Sequence, residues 1–265
     1  MTVTISTRDR VTTITINRPD ARNAVDPATA RALFDAFLGF EADEGADVAV
    51  LTGAGGHFCA GFDLKAAARV DGADWIKAVD IPEDWRDAAQ QPIPGPMGPS
   101  RLMLSKPIIG AIEGYAVAGG IELAAWCDMR VAAESATFGV FCRRWGVPLI
   151  DGGTVRLPRI MGQGCANDLI LTGRPVGAVE AQGLGLADRV VPEGTALEAA
   201  QALARDLTRF PQTCMQADFL SARPDGAALA DALRREWRSV ASFAAEGAAG
   251  AARFASGKGR GGRFR

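Results

Sequence analysis

The chain opens on alternating apolar and polar positions. "TVTIS" and "VTTITIN" are β-branched runs with a period of two, which predicts a hairpin turning at residues 7–10. The loop "NRPDARNAVDP" follows. Asp26 and Pro27 then supply the cap and first position of a helix through "ATARALFDAFLGFEAD". "DVAVLTG" reads as a buried strand ending in the glycine-rich "GAGGHFCAGFDL". From residue 65 to 105 the periodicity weakens. "QQPIPGPMGPS" carries four prolines and two glycines, so it is loop, and a mobile lid is expected there. "KPIIGAIEG" predicts a strand, "GGIELAAWC" a helix and "DMRVAAE" another strand. "GTVRLPRIMG" and "GCANDLILTG" predict short helices, the second ending at Gly173, and "GLADRVVP" a late strand. Residues 194–254 are alanine-rich and helical in pattern. "SGKGRGGRFR" is a basic, glycine-rich tail.

Strands thus interleave with helices before a helical end, which is an α/β pattern with a helical appendage. The expected division is a core over 1–193, a helical region over 194–254 and a flexible tail over 255–265. No repeat of 20–50 residues is visible in the sequence.

Composition narrows the function. With 265 residues, 48% of them hydrophobic, the chain can bury one large core. A net charge of −2 gives no reason to expect a nucleic-acid partner. The N-terminal stretch has no signal-peptide core, and no apolar run reaches the ~20 residues that span a bilayer. Cys59, Cys127, Cys142, Cys165 and Cys214 are scattered without a CxxC pair, which fits reduced thiols in the cytoplasm. With His57 as the single histidine there is no zinc ligand pattern, and neither metal nor prosthetic group is expected.

Two glycine-rich stretches carry candidate chemistry. "GAGGHFCAGFDL" follows a strand but lacks the third glycine of a dinucleotide fingerprint and the lysine of a phosphate loop. In "GYAVAGGIELA", Gly119 and Gly120 open a helix whose free N–H groups favour negative charge. Alone, the first stretch also reads as a plain tight turn and the second as close packing of a helix on a sheet. Together they can aim two N–H groups at one oxygen, as an oxyanion hole does. Glu122 sits beside them among apolar residues. A carboxylate buried there needs a structural partner, such as its own helix start, or has its proton used.

With these motifs in place, the sequence resembles the crotonase, or enoyl-CoA hydratase/isomerase, superfamily. The matching pieces are "NRPDARNAV", "LTGAGGHFCAGFDL", "SKPIIGAIEGYAVAGGIELAAWCDMRVAAESATFG", "GVPLIDGGTVRLPRIMG" and "LTGRPVGAVEAQGLGLADRVV", from about residue 2 to 254 and weakest over 65–100. The resemblance implies a spiral of ββα units with C-terminal helices that trimerise, often as a dimer of trimers. It implies an acyl-CoA thioester substrate, so that coenzyme A arrives as part of the substrate. It places the oxyanion-hole N–H groups at Phe62 and Gly119. Ala60, Gly61, Phe62, Asp63 and Leu64 would border the adenine and pantetheine, and Arg22 would lie near the CoA phosphates. Glu122 matches the first of two glutamates of true hydratases.

The second glutamate is absent, because its position in "FGVFC" is Cys142. A thiol of ordinary pKa, about 8.5, is a poor substitute. Cys142 therefore reads as a small apolar filler or a nucleophile. Asp151, in "PLIDGG", is the nearest replacement acid; its other reading is a cap on the following helix. The expected reaction is hydration of a 2-enoyl-CoA, with one-base isomerisation or a weakly catalytic CoA-binding protein as alternatives. His57 reads as a loop histidine. Trp75, Trp85, Met97, Met103 and Trp145 are candidates for the acyl pocket or ordinary packing. Lys258, Arg260, Arg263 and Arg265 read as CoA-phosphate contacts or a solvated tail.

Overall fold

Val3–Arg8 (β1) and Val11–Ile16 (β2) form the expected antiparallel hairpin. Its turn residues Asp9 and Arg10 both have positive φ, 51° and 61°, the sense that follows the twist of the strands. Asp26 caps Pro27–Ala42 (α1) by accepting the Thr29 N–H at 2.8 Å. The inner face of α1 buries Leu33, Phe34, Phe37 and Phe40, side chains worth roughly 1.5–3 kcal/mol each when fully buried. Val48–Gly53 (β3) then returns parallel to β2. The computed structural model describes residues 1–68 and 72–257, so Lys258, Arg260, Arg263 and Arg265 lie outside the described residues.

After the short helices Leu64–Ala67 (α2) and Gly72–Ala78 (α3), the chain repeats a ββα plan. Ile108–Ile112 (β4) is followed by Tyr115–Val117 (β5) and Gly119–Trp126 (α4). Met129–Ala133 (β6) is followed by Thr137–Gly139 (β7), Gly153–Met161 (α5) and Gln163–Thr172 (α6). Val176–Gly177 (β8), Ala178–Gly183 (α7) and Arg189–Val191 (β9) complete the spiral. Among the described residues, one sheet has the order β1-β2-β3-β4-β6-β9 and a second has β5-β7-β8. In the units that begin at β4 and β6 the first strand joins the large sheet and the second, β5 or β7, joins the small one. The central strands β3 and β4 are parallel and buried along their length, hence their unbroken apolar runs.

The C-terminal helices are Ala196–Thr208 (α8), Gln212–Ser221 (α9), Gly226–Trp237 (α10) and Val240–Ala255 (α11). Ala200, Leu203 and Ala204 of α8 cover one face of the large sheet, against Val48, Val50, Ile109, Ala111 and Val131. The stretch expected as a mobile lid is instead packed down. Ile81, Trp85 and Ala88 form a cluster with Ile150 and with Ala230, Leu233 and Trp237 of α10, and Met97, Ser100 and Arg101 are almost fully buried. The prolines and glycines predicted loop correctly. They could not report that the loop has a helix lying over it.

Candidate active site

The two glycine-rich stretches meet because they occupy successive turns of the spiral. Asn23, fully buried, donates its Nδ2 to the carbonyls of Ala54 (2.8 Å) and His57 (2.6 Å), which fixes the turn after β3. The chain then runs beside β5: Cys59 N–H donates to Tyr115 C=O at 2.8 Å, and Val117 N–H donates to Cys59 C=O at 3.0 Å. Gly61 has φ +90°, and a β-carbon on it would lie 2.7 Å from the Gly119 nitrogen. A β-carbon on Gly120 would lie 2.0 Å from the Cys59 carbonyl oxygen. Only glycine permits this approach.

Phe62 thus follows directly on the glycine whose backbone lies against the Gly119 nitrogen. The flanking ladder uses Gly61 C=O and Asp63 N–H, each bonded to Val25 at 2.8 Å, and leaves the Phe62 N–H out. Gly119 is the first residue of α4. Ala118 before it holds φ 54°, ψ −125°, a conformation that costs a non-glycine residue about 1–3 kcal/mol and that sets the direction of the next N–H. The Phe62 ring stacks on Trp75, centroids 3.9 Å apart and planes 10° apart. Met97, fully buried, lies against Gly119, where a β-carbon would meet its sulfur at 2.7 Å. Trp75 therefore lies beside Phe62 and Met97 beside Gly119. Trp85 belongs to the α10 cluster and donates its indole N–H to Gln91 C=O; Met103 packs on the same cluster, and Trp145 meets Phe254 edge to face.

Glu122, on the first turn of α4, is buried. Its Oε1 accepts the N–H groups of Asp151 (2.8 Å) and Gly153 (3.0 Å). Its partners therefore lie at the start of α5 rather than at the start of its own helix. Glu236, from α10, takes the alternate donors: Oε1 accepts Gly152 N–H at 2.6 Å, and Oε2 accepts Thr154 N–H at 2.8 Å and Thr154 Oγ1–H at 2.5 Å. Asp151 does not cap α5. Its Oδ1 turns away and accepts the Met97 N–H at 2.9 Å and the Ser100 hydroxyl.

Two guanidinium groups flank these three carboxyls. Arg156 donates to the carbonyls of Asp151 (3.0 Å) and Ser100 (2.7 Å). It also borders a separate cavity of about 200 Å³ at the far end of α4, beside Asp128, Arg130 and Arg223. Arg101 donates to the carbonyls of Val79 (2.5 Å) and Pro94 (3.0 Å) and lies 4.3 Å over the Trp237 ring. Among the described residues, neither guanidinium forms a direct ion pair with the three carboxyls. Burial, reinforced by the neighbouring negative charges of Asp151 and Glu236, holds the Glu122 carboxyl well above the usual range. Burial likewise raises Asp151 and Glu236, and lowers Arg101 to about 10.

Cys142 is buried in the Phe141–Trp145 turn, and burial followed by the Glu122 charge pushes its thiol up to about 12. That is the filler of the sequence reading and the reverse of an activated nucleophile. His57 is a loop residue stacked on Tyr115, with its proton affinity lowered by burial. Arg22 is exposed, accepts the Ala60 N–H on its carbonyl at 2.9 Å and sits 5.5 Å over Tyr115. Asp63 caps α2 through the N–H groups of Lys65 and Ala66 and pairs with Arg18 at 3.0 Å, which places Leu64 at the start of that helix. Among the described residues, no group of acidic, histidine and cysteine side chains is arranged to hold a metal ion. No helix there is long and apolar enough to cross a membrane.

Glu236, Ser100, Arg101 and Arg156 were not singled out from the sequence. Glu236 carried a signal: in α10 it shares the buried face of Ala230, Leu233 and Trp237 at helical spacing. The others carried none, since each has at least one partner 22 or more residues away: Ser100 with Asp151, Arg101 with Val79 and Arg156 with Ser100.

Residues 6–246 match the family model described as enoyl-CoA hydratase/isomerase. The enoyl-CoA hydratase EchA19 of Mycobacterium tuberculosis is 38% identical over 226 residues, covering 83% of this chain and 79% of that protein. The carnitinyl-CoA dehydratase of Salmonella arizonae is 39% identical over 74% of this chain and 70% of its own. The crystal structure of carnitinyl-CoA hydratase from Mycobacterium avium superposes with a TM-score of 0.80, at 33% identity, over 97% of this chain and 96% of that one.

Proposed function

The chain belongs to the enoyl-CoA hydratase/isomerase family, and from that premise we propose that it hydrates a 2-enoyl-CoA, or runs the reverse dehydration, with Glu122 as the proton carrier. The observation that carries this reading is the pairing of Phe62 and Gly119 across the Gly61 contact, with Glu122 one helical turn away. A thioester oxygen between the two N–H groups gains charge as the enolate forms. Fixed donors there favour the transition state over the resting carbonyl. Glu122 keeps Oε1 tied to α5, and its Oε2 has no hydrogen bond among the described residues, which leaves one oxygen to move a proton. In hydration, Oε2 takes a proton from water as the oxygen adds to Cβ. The same proton then passes to Cα, and the enolate collapses to the 3-hydroxyacyl thioester. A carboxyl held above its usual range is suited to proton exchange near neutral pH.

Coenzyme A enters as part of the substrate, along Ala60, Gly61, Asp63 and Leu64, with Arg22 outside them for the phosphates. The acyl group lies toward Trp75 and Met97. Asp151 holds the 97–101 segment in place rather than sharing the proton. The assembly is a homotrimer or a dimer of trimers in the cytoplasm.

One observation favours a second reading. With a thiol at Cys142 and Asp151 engaged twice, Glu122 stands as a single base, which also suits moving a double bond between carbons. Crotonyl-CoA and longer 2-enoyl-CoA thioesters, followed by loss of the conjugated-thioester absorbance, test the primary reading beside Glu122→Gln. Turnover lost in that variant is expected. Deuterium entering from solvent without net addition of water would replace hydration with isomerisation.

A further inference from the structure

Four successive N–H groups at the start of α5 go alternately to two carboxyls: Asp151 and Gly153 to Glu122, Gly152 and Thr154 to Glu236. A helix start offers its free N–H groups to whatever acceptor is near. Here the division comes from two directions, α4 on one side and α10 on the other. If Glu236 were absent, Gly152 and Thr154 would hold free donors beside Glu122, and the turn could rotate to present a different pair. The second oxygen of Glu122 would then no longer be kept clear.

We infer that Glu236 is a positioning residue for Glu122: by occupying the alternate N–H groups of the 151–154 turn it fixes Glu122 with one oxygen bound and the other free. The inference rests on the reading of Glu122 as the proton carrier, and it brings the C-terminal helical region into the reaction. Thr154 Oγ1 anchors Glu236 in turn. The titratable groups around Glu122 are the carboxyls of Asp151 and Glu236, the guanidinium of Arg156 on α5 and the Cys142 thiol, with the Arg101 guanidinium, from the segment over which α10 lies, beside Asp151 and Glu236. Of these, Glu236 faces the same turn and adds negative charge, so its removal eases ionisation of Glu122.

The test titrates Glu122 directly. In protein carrying carboxyl-labelled glutamate, the Glu122 carbon resonance is assigned through Glu122→Gln and followed from pH 4 to 9 in wild type, Glu236→Gln and Thr154→Val. Glu236→Gln should move the Glu122 titration to lower pH by on the order of one unit. The pH dependence of kcat should move with it, and kcat should fall about 10- to 100-fold at nearly constant KM. Thr154→Val weakens the hold on the Glu236 carboxylate and should shift Glu122 in the same direction by less, which serves if Glu236→Gln does not fold. A Glu122 titration unchanged in a folded variant, with only a lower Tm, overturns the inference. A shifted titration in a protein that turns over no 2-enoyl-CoA overturns the proposed function and leaves the positioning role standing.

Discussion

Gly61 and Gly119, 58 positions apart, approach so closely that a β-carbon on Gly61 would lie 2.7 Å from the Gly119 nitrogen and 2.8 Å from Ala118 Cβ. The contact joins the stretch that carries Phe62 to the start of α4, and it predicts the cost of a single methyl group. Gly61→Ala adds an unfavourable positive φ to an overpacked contact. Together these should destabilise the fold by about 2–4 kcal/mol. If the backbone yields by turning one N–H away, kcat should fall by about 10²–10³. Chemical unfolding and turnover of 2-enoyl-CoA, measured on the same preparation, check both. Wild-type stability and rate would mean that the two amides do not depend on this contact.

The stability of the protein should record the state of Glu122. Its carboxyl is raised in the folded protein, mainly by burial. Below the ordinary carboxylate range both folded and unfolded chains hold the proton. As pH rises, the unfolded chain releases it first, and stability is lost until the folded group ionises as well. Glu122→Gln removes that loss, and its amide oxygen can still accept the N–H groups of Asp151 and Gly153. Its Tm relative to wild type should therefore rise from pH 5 to pH 8, while turnover disappears. A difference in Tm that stays constant over that range would show that Glu122 ionises normally.

Asp151 tests the count of acids. Its Oδ1 ties the Met97 N–H and the Ser100 hydroxyl to the turn that also serves Glu122. Asp151→Asn keeps an acceptor there and should retain turnover within about tenfold. Asp151→Ala leaves the Met97 N–H buried without a partner, at a cost of about 1–3 kcal/mol, and frees Met97 from its seat against Gly119. Steady-state kinetics with thermal unfolding of both variants decide the matter. A loss beyond 10²-fold in a stable Asp151→Asn would restore Asp151 as a second acid.

Most of the fold was legible because its strands and helices carry local signals. The Asp26–Pro27 cap, the apolar runs of β3 and β4 and the alternation of β2 each declared an element without reference to a partner. The small sheet was not legible. Tyr115–Val117, Thr137–Gly139 and Val176–Gly177 are two or three residues long, too short to show a period, and they pair only because the spiral stacks them. The site divides in the same way. Gly61, Phe62, Gly119 and Glu122 lie in dense motifs, so they could be named in advance. The surroundings of Glu122 come from residues 97–101, 151–156 and 236, and only folding brings those together. Sequence reading assigned Asp151 to helix capping or acid catalysis. Neither alternative included a bond to the Met97 amide, because that bond spans 54 residues.

The thiols supply the last prediction. All five cysteines are free, with Cys59, Cys127 and Cys142 buried, Cys165 partly so and Cys214 exposed. Burial pushes Cys59 and Cys142 up to about 12 and raises Cys127 as well, so at pH 8 none of the three offers a thiolate. A disulfide reagent added to the native protein at pH 8 should titrate Cys214 quickly and Cys165 slowly. The other three should react only after denaturation. Cys142→Ser should then leave kcat within about threefold of wild type, since a small polar group replaces one that carries no charge in the reaction. The stability cost should be about 1–3 kcal/mol for the buried hydroxyl. Rapid native labelling of Cys142, or inactivation by Cys142→Ser, would place the thiol in the chemistry and displace Glu122 as the single group that moves a proton.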